Sequence, residues 1–101
     1  MKLSLIFSAI LAAAPAGALI KTKTVEYKHG DVVLQGYVAY EDGFKDKRPG
    51  VLVVHEWWGH GPYARMRATE LAKLGYTAFA VDMYGKGVYA KTHEEAGQLA
   101  G

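Results

Sequence analysis

Residues able to do chemistry gather in two short stretches of this 101-residue sequence. The first is His55-Glu56-Trp57-Trp58, closing on Gly59, His60 and Gly61; the second is Asp82-Met83-Tyr84-Gly85-Lys86-Gly87. A carboxylate beside imidazole and indole can act as a base, as the partner of a nucleophile or as a metal ligand. The zinc option fails on spacing. It needs H-E-x-x-H on a helix, whereas here the pattern is H-E-x-x-x-H, and five helical steps turn by about 500°, so the imidazoles diverge. A loop gathering His55, His60 and Asp82 would be required instead, and no feature of the sequence demands one. Neither a metal nor a cofactor is expected. The glycines spell no phosphate loop, since both G-x-G-x-x-G and G-K-[ST] are missing. The two tryptophans alone need mean no more than one ring in a core and one shielding a loop. Glu56 is harder to set aside, because a carboxylate at that place must find a partner or stay hydrated.

What makes the place special is the element before it. Residues 51–54 are an unbroken apolar, mostly β-branched run, the pattern of a parallel strand buried on both faces. His55 and Glu56 then fall at its carboxyl end, outside which open α/β sheets bind their ligands. Pro62 suits the first turn of a helix. Ala64, Ala68, Leu71, Ala72 and Gly75 share one helical face, small enough to approach a sheet closely, and Arg67 and Glu70 are spaced to pair. Residues 76–81 form another short apolar run. Strand, helix and strand make a right-handed crossover that delivers Asp82 to Gly87 to the same carboxyl edge.

Upstream, residues 21–28 and 32–40 alternate as two strands, the second interrupted by Gly36. The turn at His29-Gly30-Asp31 is too short for anything but an antiparallel hairpin. Glu41 to Pro49 reads as a polar surface loop. Downstream, Thr92 and Glu95 form a capping box, but the helix it announces has barely two turns before Gly101, which reads as truncation. A sheet of only these strands would leave an unpaired edge and an uncovered apolar face.

Composition narrows the partners. Half of the residues are apolar and 22% charged, a foldable balance, and the net charge of +2 comes with no basic run to follow phosphates, so nucleic acid is not expected. Residues 1–18 carry the marks of a cleaved export signal: Lys2, an apolar stretch from Leu3 to Ala14, and Ala16-Gly17-Ala18. The apolar stretch is short for a membrane span. A periplasmic or secreted product without stable membrane insertion is expected, with residues 19–101 as its folded part. Cleavage would also remove Ser4 and Ser8, the only serines, from a chain that has no cysteine.

Gly50-Val51-Leu52-Val53-Val54-His55-Glu56-Trp57-Trp58-Gly59, the following helix, Gly75-Tyr76 and Asp82-Met83-Tyr84-Gly85 together resemble the amino-terminal part of the dienelactone hydrolase family, over about residues 24–91. The resemblance implies an α/β class and part of an α/β-hydrolase fold: an antiparallel β1-β2 hairpin, then a β3-helix-β4 crossover. It implies hydrolysis of an ester or lactone through a Cys (or Ser)–His–Asp triad. Glu56 matches the glutamate that contacts the nucleophile, and Trp57 the residue whose backbone N–H contributes to the oxyanion hole. Tyr84 and Lys86 fall where a second loop lines the substrate pocket, with Lys86 suited to a substrate carboxylate. The nucleophile elbow, the acid and the catalytic histidine of the family have no counterpart here, so the isolated chain is expected to be inactive. The alternative is a small non-catalytic binding or interaction protein, self-associating through its sheet edge.

Overall fold

The computed structural model describes residues 19–43 and 47–101; the expected leader, residues 1–18, lies outside the described residues. Strands β1 (Leu19–His29) and β2 (Val32–Asp42) form an antiparallel hairpin closed by Gly30-Asp31. Both run beyond the spans read from apolar alternation, because pairing continues unbroken from His29↔Val32 to Leu19↔Asp42. Backbone donors and acceptors extend a ladder whatever side chains they carry. The polar loop expected from Glu41 therefore begins only at Gly43. Nor does Gly36 interrupt β2. It makes room for an aromatic ring, since a Cβ there would lie 2.5 Å from Phe79 Cζ.

Strands β3 (Gly50–Val54) and β4 (Thr77–Val81) pair in parallel, joined through helix α1 (Pro62–Lys73). β4 also pairs antiparallel with β2, so the sheet order is β1-β2-β4-β3. A short helix α2 (His93–Ala100) follows the second loop. Half of its capping box forms: Glu95 N–H donates to Thr92 Oγ1 at 3.1 Å, while Glu95 Oε2 reaches one residue past the cap and accepts from Lys91 N–H at 3.0 Å.

The core lies between α1 and one face of the sheet. Ala64, Ala68 and Ala72 of α1 pack with Ala39, Ala78 and Ala80 of β2 and β4. Small side chains on both sides bring helix and sheet close, each buried methyl-sized group contributing about 0.8 kcal/mol. Pro62 occupies the first turn, and α1 stops where Leu74 N–H and Gly75 N–H donate to Leu71 O and Ala72 O. Glu70 pairs with Lys73 at 2.9 Å rather than with Arg67; the lysine one turn on reaches the carboxylate first.

β3 departs from its expected environment. Val51 and Val53 lie half-buried on the α1 side, but Leu52 and Val54 are 69% and 63% exposed, so one face of β3 is half-covered and the other open. The reason is positional: β3 is an outer strand, and no described element lies over the second face of the sheet. The expected free edge and bare apolar face are therefore both present among the described residues. No helix among them is long and apolar enough to cross a membrane.

Candidate functional site

The parallel register of Val54 and Val81 brings the two chemistry-bearing stretches side by side at the carboxyl edge. Glu56 to Gly59 makes a tight turn in which Gly59 N–H donates to Glu56 O at 3.1 Å. Gly59 has φ +120°, and a Cβ there would meet Val88 O at 2.7 Å, so this corner requires glycine twice over. The next two carbonyls of the turn are also held. Trp57 O accepts from the Tyr84 hydroxyl at 2.9 Å, and Trp58 O from Ala90 N–H at 2.8 Å. His93, opening α2, lies against both indoles, with ring centroids 5.7 Å from Trp57 and 5.2 Å from Trp58.

His55 spans the two stretches. Its Nδ1 lies 2.7 Å from Glu56 O, its Nε2 accepts Met83 N–H at 3.0 Å, and its ring meets Tyr84 edge-on at 4.8 Å.

Asp82 anchors the second loop. Only 3% of it is exposed. Its Oδ2 accepts Gln35 N–H at 2.9 Å, and its Oδ1 accepts Tyr84 N–H and Gly85 N–H, each at 3.0 Å. Burial pushes its carboxyl up, but the backbone donors of Gln35, Gly85 and Tyr84, with a smaller pull from His60, outweigh burial and hold it below the ordinary aspartate value. Tyr27 ties the same residue to β1 by accepting Asp82 N–H and donating to Asp82 O.

The four expected site residues do not share one surroundings. Glu56 is exposed, and no described residue bonds or pairs with its carboxylate, so it stays hydrated. Trp57 is 42% exposed, and among the described residues no acceptor takes its backbone N–H. Tyr84 is half-buried and joins the loops through its hydroxyl. Lys86 turns away to pair with Glu26 of β1, and lowers that carboxyl's pKa by doing so. Beside Glu56, a cleft of about 60 Å³ is lined by His55, Tyr63, Arg67 and Tyr89 among others. A larger concavity, about 560 Å³, lies on the uncovered sheet face between Tyr27, Leu34, Phe79, Met83 and Tyr84. His55, His60 and Asp82 are engaged elsewhere: His60 Nδ1 donates to Val81 O at 3.2 Å, and among the described residues no group of three or more His, Cys, Asp or Glu could hold a metal ion.

Composition and spacing do not reveal the linking roles of His55 and Tyr84, because both depend on how the loops close over each other. The only hint is that the two loops share one sheet edge.

A mixed sheet with a strand-helix-strand crossover and two loops meeting at its carboxyl edge defines an α/β protein with a strand-end site. The model of the Dienelactone hydrolase family matches residues 34–101, and the chain belongs to that family. The match starts inside β2 and runs through α2. A protein of Aquifex aeolicus (strain VF5) named "Putative carboxymethylenebutenolidase" is 41% identical over 78 residues, which are 74% of this chain and 32% of that protein. Among solved structures, m3DLH superimposes with a TM-score of 0.72 at 36% identity, covering 83% of this chain and 33% of its own. The dienelactone hydrolase-like promiscuous phosphotriesterase P91, from metagenomic libraries, gives 0.73 at 30% identity, covering 80% and 34%. The chain thus spans about a third of the length of these relatives.

Proposed function

We propose that this chain supplies the strand-end half of an ester- or lactone-hydrolysing site. In that reading a cysteine or serine outside the 101 residues attacks the carbonyl carbon, and the carbonyl oxygen gains negative charge as the tetrahedral intermediate forms. Trp57 N–H donates to that oxygen, and Glu56 contacts the nucleophile and governs its ionisation. The observation that carries the reading is the Glu56–Gly59 turn itself: its first three carbonyls are all bonded, while the Trp57 N–H has no acceptor among the described residues. A donor held this way loses little entropy when charge develops before it.

The butenolide in the Aquifex relative's name is an unsaturated lactone bearing a carboxylate, and a substrate of that class suits Tyr84 and Lys86. Lys86 would exchange Glu26 for the substrate carboxylate; a surface pair is readily exchanged. Export follows from residues 1–18, with cleavage after Ala18 and a periplasmic or secreted product. The mass of the mature amino terminus tests it.

Because the chain lacks serine and cysteine beyond Ser8, the pure 1–101 product is expected to leave p-nitrophenyl acetate uncleaved. A chimera carrying residues 34–101 in place of the matching segment of the Aquifex relative is expected to hydrolyse it. A folded but inactive chimera would overturn the proposal. So would hydrolysis by the isolated chain that Glu56→Gln abolishes. The bare sheet face with Leu52 and Val54 favours a second reading, a non-catalytic interaction protein that self-associates through β3. Cooperative unfolding of a dimeric product of residues 19–101 would support that reading, and aggregation without a cooperative transition would count against it.

A further inference from the structure

We infer that His55 is a positioning residue: its ring fixes the direction of the Glu56–Trp57 peptide, and so aims the Trp57 N–H, while locking the second loop to the first. The use of that N–H in catalysis rests on the function proposed above; the orientation does not.

The bonding pattern leaves the imidazole a single arrangement. Glu56 O can only accept, so His55 Nδ1, 2.7 Å away, must carry a proton. Met83 N–H can only donate, so Nε2, 3.0 Å away, must present its lone pair. The ring is therefore neutral, with its proton on Nδ1. Moving the proton to Nε2, or adding a second one, would set donor against donor at Met83.

The same bond orients the peptide. Glu56 O receives two donors, His55 Nδ1–H and Gly59 N–H. A trans peptide is planar, with C=O and N–H pointing in opposite directions. Holding the Glu56 carbonyl towards the ring and the turn interior therefore sends the Trp57 N–H the other way. No other side chain among the described residues bonds the Glu56 carbonyl. The Tyr84 ring, edge-on to His55 at 4.8 Å, limits rotation of the imidazole. Its hydroxyl, on Trp57 O, holds the next peptide.

Substitutions separate the two bonds. His55→Asn places an amide N–H where Nδ1 stands, and His55→Gln places a carbonyl oxygen where Nε2 stands. On the full chain at pH 8, ¹⁵N imidazole shifts of His55 are expected to report the Nδ1–H tautomer. In His55→Asn, exchange of the Met83 amide should rise about tenfold while Gly59 keeps its protection. In His55→Gln the pattern should reverse, and in His55→Phe both amides should exchange faster. A purely packing role for the ring would give no such split. In the active chimera, His55→Phe should lower kcat about tenfold with KM little changed, and His55→Asn should recover most of the loss. The Nε2–H tautomer, or unchanged Gly59 and Met83 exchange in His55→Phe, would overturn the inference. An inactive chimera that retains His55 and shows the expected exchange pattern would instead overturn the proposed function and leave the orientation standing.

Discussion

Asp82 and Glu56 are two carboxylates at the carboxyl ends of neighbouring parallel strands, yet their surroundings are opposite. Asp82 is buried, receives three backbone N–H groups and is held ionised by them. The Glu56 carboxylate is exposed and receives no bond from any described residue. One acid spends its acceptor capacity on the backbone of its own loop and of β2, and cannot turn to a ligand without breaking that loop. The other is left available. At this sheet edge the saturated acid belongs to the scaffold, and the open one is the acid that the proposed function uses.

Substitutions can break that contrast. The largest expected effect is at Asp82. Asp82→Ala strands the N–H groups of Gln35, Tyr84 and Gly85, and should lower stability by about 2–4 kcal/mol in urea unfolding of the full chain. Next comes the corner under Glu56. Gly59→Ala combines a positive-φ strain with a clash against Val88 O and should cost about 1–3 kcal/mol by the same measurement. A smaller effect should come from acid. The Asp82 carboxyl is held below its unfolded value, so its contribution is complete above pH of about 4 and fades as pH falls through the lowered folded value. Urea midpoints between pH 6 and pH 2.5 should therefore decline, and Asp82→Asn should flatten that decline. The smallest effect should be at Glu56: Glu56→Gln is expected to change stability by less than about 0.5 kcal/mol. A large loss there would erase the distinction between the two acids.

The two faces of the sheet differ as sharply as the two acids. The α1 face is closed by alanines, whereas the opposite face exposes Leu52 and Val54. The sequence shows both halves of this. The small-residue stripe Ala64, Ala68, Leu71, Ala72 announces the helix and the sheet it meets, and the apolar run of residues 51–54 announces a strand wanting cover on both sides. It does not show that the second cover is missing among the described residues, because periodicity records what a strand is suited to and not what lies over it. The hairpin is legible in kind but reads too short, since Leu19 and Ile20 pair with Asp42 and Glu41 through their backbones. At the site, Glu56 stands out from its place after an apolar strand, whereas the role expected of Trp57 comes only from the family resemblance. The saturation of Asp82, the Tyr84–Trp57 bond and the pairing of Lys86 with Glu26 are not, because each joins residues at least 27 positions apart or depends on backbone donors that any residue could supply.

In the proposed function the Trp57 backbone N–H of this chain is an oxyanion donor. Trp57 sits at the second position of a tight turn, where proline is accepted, so the N–H can be deleted while the turn is kept. In the chimera with the Aquifex relative, kcat of Trp57→Pro should be compared with that of Trp57→Ala. Both lose the indole, but only proline loses the donor. Proline should lower kcat by about a further 10²–10³-fold beyond alanine. Equal rates for the two variants, both folded, would contradict it.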